Sequence, residues 1–116
     1  FEHAHEQYRH GDLADAAETV AGVIKQYPRN ATARMFHVEI LFALRRYDEA
    51  LAATDDVAAM YPDSYNVQIF AAVLYRNIWH ATGDMQAKAG AIQYYRRARR
   101  LFIGLKTPLD EFLQQR

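Results

Sequence analysis

Gln26-Tyr27-Pro28-Arg29-Asn30 returns 34 residues later as Met60-Tyr61-Pro62-Asp63-Ser64. Other residues match in type at the same offset: Ala16 with Ala50, Asp15 with Glu49, and Val23 with Val57. A fixed period of this length indicates a repeat protein, in which each repeat is one small supersecondary unit. The whole chain of 116 residues is therefore expected to form a stack of similar units.

The apolar pattern inside the second repeat is helical. In residues 47–61, apolar and small side chains recur at steps of three and four, which is the stripe of an amphipathic helix. Residues 33–44 are apolar almost all round and predict a helix buried on more than one side. Each proline ends the helix before it, because the preceding residue is pushed out of helical backbone angles. The predicted unit is helix, turn, helix, turn.

Short polar segments mark the turns and the helix starts. Gly11-Asp12 separates the two helices of the first repeat, and Arg45-Arg46 stands at the equivalent place in the second. Asn30, and Asp63 or Ser64, follow the prolines and predict N-caps for the helices that come next.

At these positions the chain resembles the tetratricopeptide repeat family, whose pattern is Trp, Leu-Gly, Tyr, Ala, an aromatic residue and Pro over 34 residues. In the second repeat those positions hold Arg34, His37-Val38, Leu41, Ala50, Thr54 and Pro62. Only Ala50 and Pro62 match strictly, and Arg34 and His37 depart from the family type. The resemblance covers about residues 1–103. It implies an all-α solenoid of helix-turn-helix repeats, wound as a right-handed superhelix.

We expect a single domain made of two and a half divergent repeats and a cap. Its parts are a partial repeat at 1–30, a second repeat at 31–64, an extended third repeat at 65–104 and a short capping helix at 105–116. Thr107-Pro108 favours the cap, because it offers an N-cap followed by proline at the first helical position. The start of a further repeat is the alternative.

The third repeat is longer than the others. Its Gly83-Asp84 turn comes 4 residues late, and Ala91 comes a further 3 residues late. Each insertion is close to one helical turn, so both helices should lengthen together. We predict a third hairpin about one turn longer, with its loop near residues 82–84 and with Trp79 and Met85 packed at its tip.

The sequence holds little catalytic or metal-binding chemistry. It has no cysteine, its only serine is Ser64 beside a turn, and no phosphate-binding or nucleophile-elbow motif occurs. His3, His5 and His10 lack the one-turn spacing of zinc ligands, and His37 is expected in the core. We predict no enzymatic activity, no metal site and no cofactor.

Charge is unevenly spread although the net charge is zero. Residues 1–64 carry a net charge of −5 and residues 65–116 carry +5. The dense basic patch consists of Arg96, Arg97, Arg99 and Arg100, with Tyr94 and Tyr95 beside it. Such a patch can contact phosphates, nucleic acid or an acidic protein segment. The alternative is a solvated outer face whose tyrosines belong to the core.

The resemblance also implies a binding surface. In the family, the first helix of each repeat lines the inside of the superhelix and binds extended peptides or helices there. The implied groove residues are Met35, Phe36, Glu39, Phe42, Ile69, Phe70, Val73 and Arg76. This set is unusually apolar, which favours an amphipathic helix or apolar strand oriented by Glu39 and Arg76. The carboxylate clamp of chaperone-binding members is not expected, because its positions hold Phe1, His5, Phe36, Asn66 and Phe70.

The predicted function is a non-enzymatic protein–protein interaction module, an adaptor, scaffold or chaperone-like domain that binds a peptide or helix. The alternative is self-association, in which the apolar positions are covered by a second copy or by more of a longer solenoid. Phosphate or nucleic-acid binding through the basic patch is a third hypothesis. No apolar run approaches the ~18 residues of a membrane span. The N-terminus resembles neither a signal peptide nor a natural start, so the cytoplasm is favoured and a fragment or processed chain is expected. The Ala- and Arg-rich composition suggests a bacterial source.

Overall fold

A computed structural model describes residues 1–102, and within them the fold is entirely helical. The helices are α1 (Glu2–Arg9), α2 (Leu13–Gln26), α3 (Ala31–Ala43), α4 (Tyr47–Met60), α5 (Tyr65–Thr82) and α6 (Met85–Leu101). They form antiparallel pairs in chain order, which confirms the predicted all-α helical-repeat fold. The helices fall into two compact units: unit one holds residues 1–60 and unit two begins at Tyr61. The capping helix predicted at 105–116 lies outside the described residues.

The 34-residue period reappears in the backbone hydrogen bonds of the hairpin turns. In the first turn the Asp12 N–H donates to the Gln7 carbonyl at 2.8 Å, and in the second the Arg46 N–H donates to the Leu41 carbonyl at 2.9 Å. This bond across five residues is typical of a Schellman ending, which satisfies the last carbonyls of a helix. The two turns therefore share one geometry although their sequences differ.

The turns require a left-handed residue. Gly11 has φ of +81° and Gly83 has φ of +75°, and glycine adopts such angles without steric cost. Arg45 stands 34 residues after Gly11 and has φ of +61°. Its Cβ atom makes this angle unfavourable by about 1–2 kcal/mol. The second turn thus carries strain that the first avoids.

The N-caps follow the same period. The Asn30 side chain accepts a hydrogen bond from the Ala33 N–H at 3.1 Å, and the Ser64 hydroxyl accepts one from the Val67 N–H at 3.3 Å. Asp84 caps α6 by accepting from the Gln86 N–H at 2.9 Å. Each cap satisfies one backbone donor that the first helical turn leaves open.

The third hairpin is longer than the second, as predicted. α5 has 18 residues and α6 has 17, against 13 for α3 and 14 for α4. The loop lies at Gly83-Asp84. Near it, the Lys88 ammonium lies 4.9 Å from the centre of the Trp79 ring. The expectation for Met85 is wrong. It is the first residue of α6 and its side chain is 64% exposed, because the buried face of α6 begins only at Ala87.

Each unit has its own apolar core. The core of unit one is built around small residues of α1 and α2 and larger ones of α3: Ala4, Ala16, Ala17, Val20, Phe36 and Ile40. In unit two α5 and α6 approach closely at Gly90. A Cβ atom at Gly90 would lie 2.3 Å from Cδ2 of Tyr75, so the ring occupies the space that any other residue would need.

Replacing Arg45 by glycine should stabilise the protein. Glycine removes the left-handed strain but adds freedom to the unfolded chain, so we expect a net gain on the order of 0.5 kcal/mol in the free energy of unfolding. Urea denaturation would measure it. Arg45→Ala is the matched control, since it removes the same charge and keeps the strain. An equal gain in both variants would mean that charge, and not backbone strain, limits stability.

Two glycine-to-alanine changes should act in opposite directions. Gly22→Ala faces open space in α2 and should raise the free energy of unfolding by about 0.5–1 kcal/mol, because alanine is the better helix former. Gly90→Ala must displace the Tyr75 ring and should lower the free energy of unfolding by roughly 1–3 kcal/mol. Thermal unfolding followed by circular dichroism would compare them. A stabilised Gly90→Ala would contradict the close packing of α5 on α6.

Candidate interaction surfaces

One candidate surface in unit one is a stripe on α3, formed by Met35, Glu39 and Phe42. The spacing of four and then three residues puts them on one side of the helix. Met35 and Phe42 are half-buried and Glu39 is exposed. The Phe42 ring lies 5.6 Å from the Tyr47 ring, which limits the positions it can take. The α3 stripe is thus a partly exposed apolar surface with one carboxylate at its middle.

Phe36, also predicted for the groove, lies in the core of unit one. Its side chain is only 8% exposed. The His5 ring stacks on it at 4.3 Å between ring centres, and the Tyr8 ring lies 5.6 Å away. Phe36 consequently has little surface left for a ligand, and its contacts instead join α1 to α3.

The first positions of the carboxylate clamp, at the start of unit one, hold aromatic side chains. Phe1 lies 5.9 Å from His5 and 6.3 Å from Phe36 between ring centres. The structure therefore brings together three of the five clamp positions, as an aromatic cluster packed beside the α3 stripe. A clamp for a carboxylate needs cationic side chains with free donors, and this cluster has the chemistry of an apolar contact.

Glu39 is electrostatically unusual for an exposed carboxylate. Partial burial raises the pKa of Glu39 above its ordinary value, because desolvation disfavours the charged form, and the nearby His5 opposes that shift. The Glu39 carboxylate has thus lost part of its hydration even without a ligand. A cationic group placed beside it would recover part of the lost stabilisation.

Unit two carries a second stripe, on α5. Ile69, Val73 and Arg76 repeat the spacing of four and then three residues seen on α3, and Phe70 lies next to them in sequence. All four side chains are half-buried. The α5 stripe therefore matches the α3 stripe in its mixture of apolar residues and one charge, with the charge reversed in sign.

The arginines of the basic patch are exposed along the last turns of α6. Tyr94 and Tyr95 beside them are buried in unit two, at 9% and 2% exposure. The Arg97 guanidinium lies 5.1 Å above the Tyr94 ring and covers its open side. Stacking on nucleic-acid bases needs accessible ring faces. The patch thus offers positive charge without an aromatic platform.

A feature that the sequence did not reveal is an open cleft of about 450 Å³ in unit one. We call it the outer cleft. Its residues come from α2, α3, α4 and the turn before α4, among them Glu18, Ala21, His37, Arg46 and Asp56. His37, expected in the core, is half-buried and lines this cleft. The sequence does show alanines and carboxylates interleaved on α2 and α4. Only the packing of α2, α3 and α4 against one another forms a cleft from these residues.

Within residues 1–102, no three His, Cys, Asp or Glu side chains are grouped so that they could hold a metal ion. None of the helices described there combines the length and the apolar character that crossing a bilayer requires.

The comparison with known families agrees with the geometry of the hairpins. The family model described as Tetratricopeptide repeat matches residues 1–65. The chain belongs to the tetratricopeptide repeat family. The repeats of this family are generally non-catalytic and mediate contacts between proteins, so the chain is a protein–protein interaction module in that general sense.

Solved structures support the same fold. Chains that match it number 28, and one of them is MamA AMB-1 in its P212121 crystal form. That match has a TM-score of 0.65 and 20% sequence identity, and covers 97% of this chain and 57% of the other. At this identity the likeness extends to the fold alone, and this chain spans little more than half of the MamA chain. No curated protein matches in sequence.

His37 should be neutral at pH 7 and should destabilise the protein when it is protonated. Burial lowers the pKa of His37 below 6.5, and the positive charge of Arg46 lowers it further. The folded state then binds fewer protons than the unfolded state, so stability is full above pH 6.5 and declines as the pH falls toward the lowered value.

Nuclear magnetic resonance titration of the imidazole would measure this pKa directly. Arg46→Gln should raise it, since the variant removes a positive charge and frees Glu49 from its ion pair with Arg46. His37→Gln should remove part of the pH dependence of the free energy of unfolding. A pKa for His37 above 6.5 would contradict the described environment.

Proposed function

We propose that this chain is an adaptor or scaffold module whose α3 stripe and α5 stripe each bind an amphipathic helix of a partner protein. The observation that carries the proposal is the recurrence of one pattern on both helices. Each stripe places two partly exposed apolar residues and one charge at the same helical spacing. A partner helix presents apolar residues at a matching spacing, so it can contact such stripes along its length.

The apolar residues of the stripes are not needed to close the cores. The core of unit one is complete with Phe36, Ile40 and their neighbours, while Met35 and Phe42 remain partly accessible to water. In unit two, Ile78 and Tyr95 are buried whereas Ile69 and Val73 are not fully covered. Burying the remaining apolar surface against a partner would be favourable by about 25 cal/mol per Å² before the costs of association.

The charge in each stripe restricts which helix can bind there. Glu39 favours a lysine or arginine on the partner at the α3 stripe, and Arg76 favours a glutamate or aspartate at the α5 stripe. A helix that places a like charge against either residue meets unfavourable repulsion, so each stripe selects a partner of matching charge.

Substitution of a charge into a stripe should weaken binding at that stripe without unfolding the protein. The probes would be amphipathic helical peptides selected for binding to the intact wild-type chain. Phe42→Asp should weaken peptide binding at the α3 stripe and Ile69→Asp at the α5 stripe, each on the order of 30-fold, the effect of losing a central apolar contact of about 2 kcal/mol. Isothermal titration calorimetry would measure the affinity, and circular dichroism would verify that helicity is retained.

The matched control is Ala59→Asp on the exposed side of α4. It adds the same charge away from both stripes and should leave the affinity unchanged. If Phe42→Asp binds the peptide as well as wild type, the α3 stripe is not the binding surface. If all three variants weaken binding equally, the effect comes from net charge and not from either stripe.

A further inference from the structure

The outer cleft of unit one has the chemistry of a receptor for long cationic side chains. Ala17 and Ala21 of α2 and Ala52 of α4 contribute methyl groups to its lining. Because alanine side chains are short, they leave depth that a long side chain from another molecule can fill. Arginine is suited to such a space, since its stem covers apolar surface while its guanidinium remains at the polar rim.

Carboxylates lie on both helical sides of this cleft. Glu18 comes from α2 and Asp56 from α4. Within residues 1–102 neither side chain has a hydrogen bond or an ion pair. Glu49 also lines the cleft but is already engaged by Arg46 in a two-point ion pair. The cleft therefore offers two carboxylates to an incoming cation, and a guanidinium can bind a carboxylate through two parallel hydrogen bonds.

The chain itself supplies a matching face. α6 contains Lys88 and the four arginines of the basic patch but no aspartate or glutamate. Conversely, α4 contains four carboxylates and no lysine or arginine. Arg96 and Arg100 are exposed and stand four residues apart, so they project from the same side of α6. Two cations on one helical face are thus available to meet two carboxylates in one cleft.

We propose that the outer cleft of one molecule binds the Arg96–Arg100 face of α6 from a second copy of this chain. The charge of the two halves favours this partner, because residues 1–64 carry −5 and residues 65–116 carry +5. Such molecules orient head to tail as they approach. The contact uses neither the α3 stripe nor the α5 stripe, so it is independent of the proposed function.

The contact joins two different surfaces, and this has a geometric consequence. After one contact forms, each molecule of the pair still has one unused surface. The two unused surfaces can meet and close a dimer, or further molecules can add to give a larger ring or an open filament. Assembly should therefore grow with protein concentration and weaken as salt screens the charges.

Sedimentation velocity of the intact chain, at low and high salt over a wide concentration range, is the first test. We expect dimers or larger species at low salt and dissociation to monomers at high salt. A monomer at every concentration in low salt would overturn the proposal. Assembly that is unaffected by salt would also overturn it, because the contact would then not be electrostatic.

Two neutralising double variants locate the contact. The cleft variant is Glu18→Gln with Asp56→Asn, and the helix variant is Arg96→Gln with Arg100→Gln. Each should raise the dissociation constant for self-association by at least about tenfold, since each removes charge-assisted hydrogen bonds. The matched control, Glu2→Gln with Glu6→Gln, neutralises two exposed carboxylates of α1 and should assemble like wild type.

Mixing the two variants gives the decisive result. The cleft variant keeps an intact α6 face and the helix variant keeps an intact cleft, so one contact can form between them and growth must stop. We expect a one-to-one heterodimer and no larger species. No association on mixing, or larger oligomers, would contradict the proposed pairing. If Phe42→Asp abolishes wild-type assembly while the cleft variant does not, self-association uses the α3 stripe and the outer cleft is not the receptor.

Discussion

The helix pairs depend on very small side chains at their contacts, because these leave room for the neighbouring helix or for one of its rings. In unit one, Ala4, Ala16 and Ala17 belong to the core that α1 and α2 share. In unit two, Gly90 leaves room for the Tyr75 ring between α5 and α6. A few larger buried residues, among them Ile40 and Tyr95, complete the cores. The remaining large apolar residues are then not required by the cores, and some can lie at the surface.

The sequence predicted the parts of the fold that are set by local backbone chemistry. Prolines, N-cap residues and glycine turns act within a few residues of themselves, so Asn30 and Gly83 could be placed before any tertiary contact was known. The second N-cap was narrowed to Asp63 or Ser64, and the structure shows that it is Ser64. The lengthened third hairpin followed from the same logic, because two insertions of nearly one turn preserve the faces of both helices. Arg45 could be placed in a turn, but its residue type gave no sign of a left-handed angle.

The parts that escaped prediction depend on tertiary contacts. Phe36 follows Met35 on the helix, and the family resemblance assigned both to the groove. The His5 and Tyr8 rings of α1 pack on Phe36, and this contact between α1 and α3 cannot be read from the pattern of either helix alone. The outer cleft needs three helices at once, so no single helical pattern contains it. Met85 was misplaced because apolar character alone does not show where a buried face begins.

The two apolar stripes and the two charged surfaces differ in the forces that would bind a partner. The α3 and α5 stripes are mainly apolar, so a partner there gains mostly from water released from apolar surface, an effect that salt does not screen. The outer cleft and the α6 face are dominated by charge, so binding there is sensitive to salt and to net charge. The two proposed contacts would therefore respond differently to salt, so recognition of a partner and assembly with copies of this chain would be under separate physical control.

Glu39 limits which partner can cover the α3 stripe. Its carboxylate already has a raised pKa from partial burial, so covering it with an apolar group would remove its remaining water and force it to take up a proton or stay charged at high cost. A cation from the partner avoids both outcomes. The charged residue in the middle of an apolar stripe thus adds little attraction of its own but penalises every ligand that lacks a matching charge. For the proposed ligand of the α3 stripe, selectivity would arise from that penalty, whereas the apolar neighbours would supply the affinity.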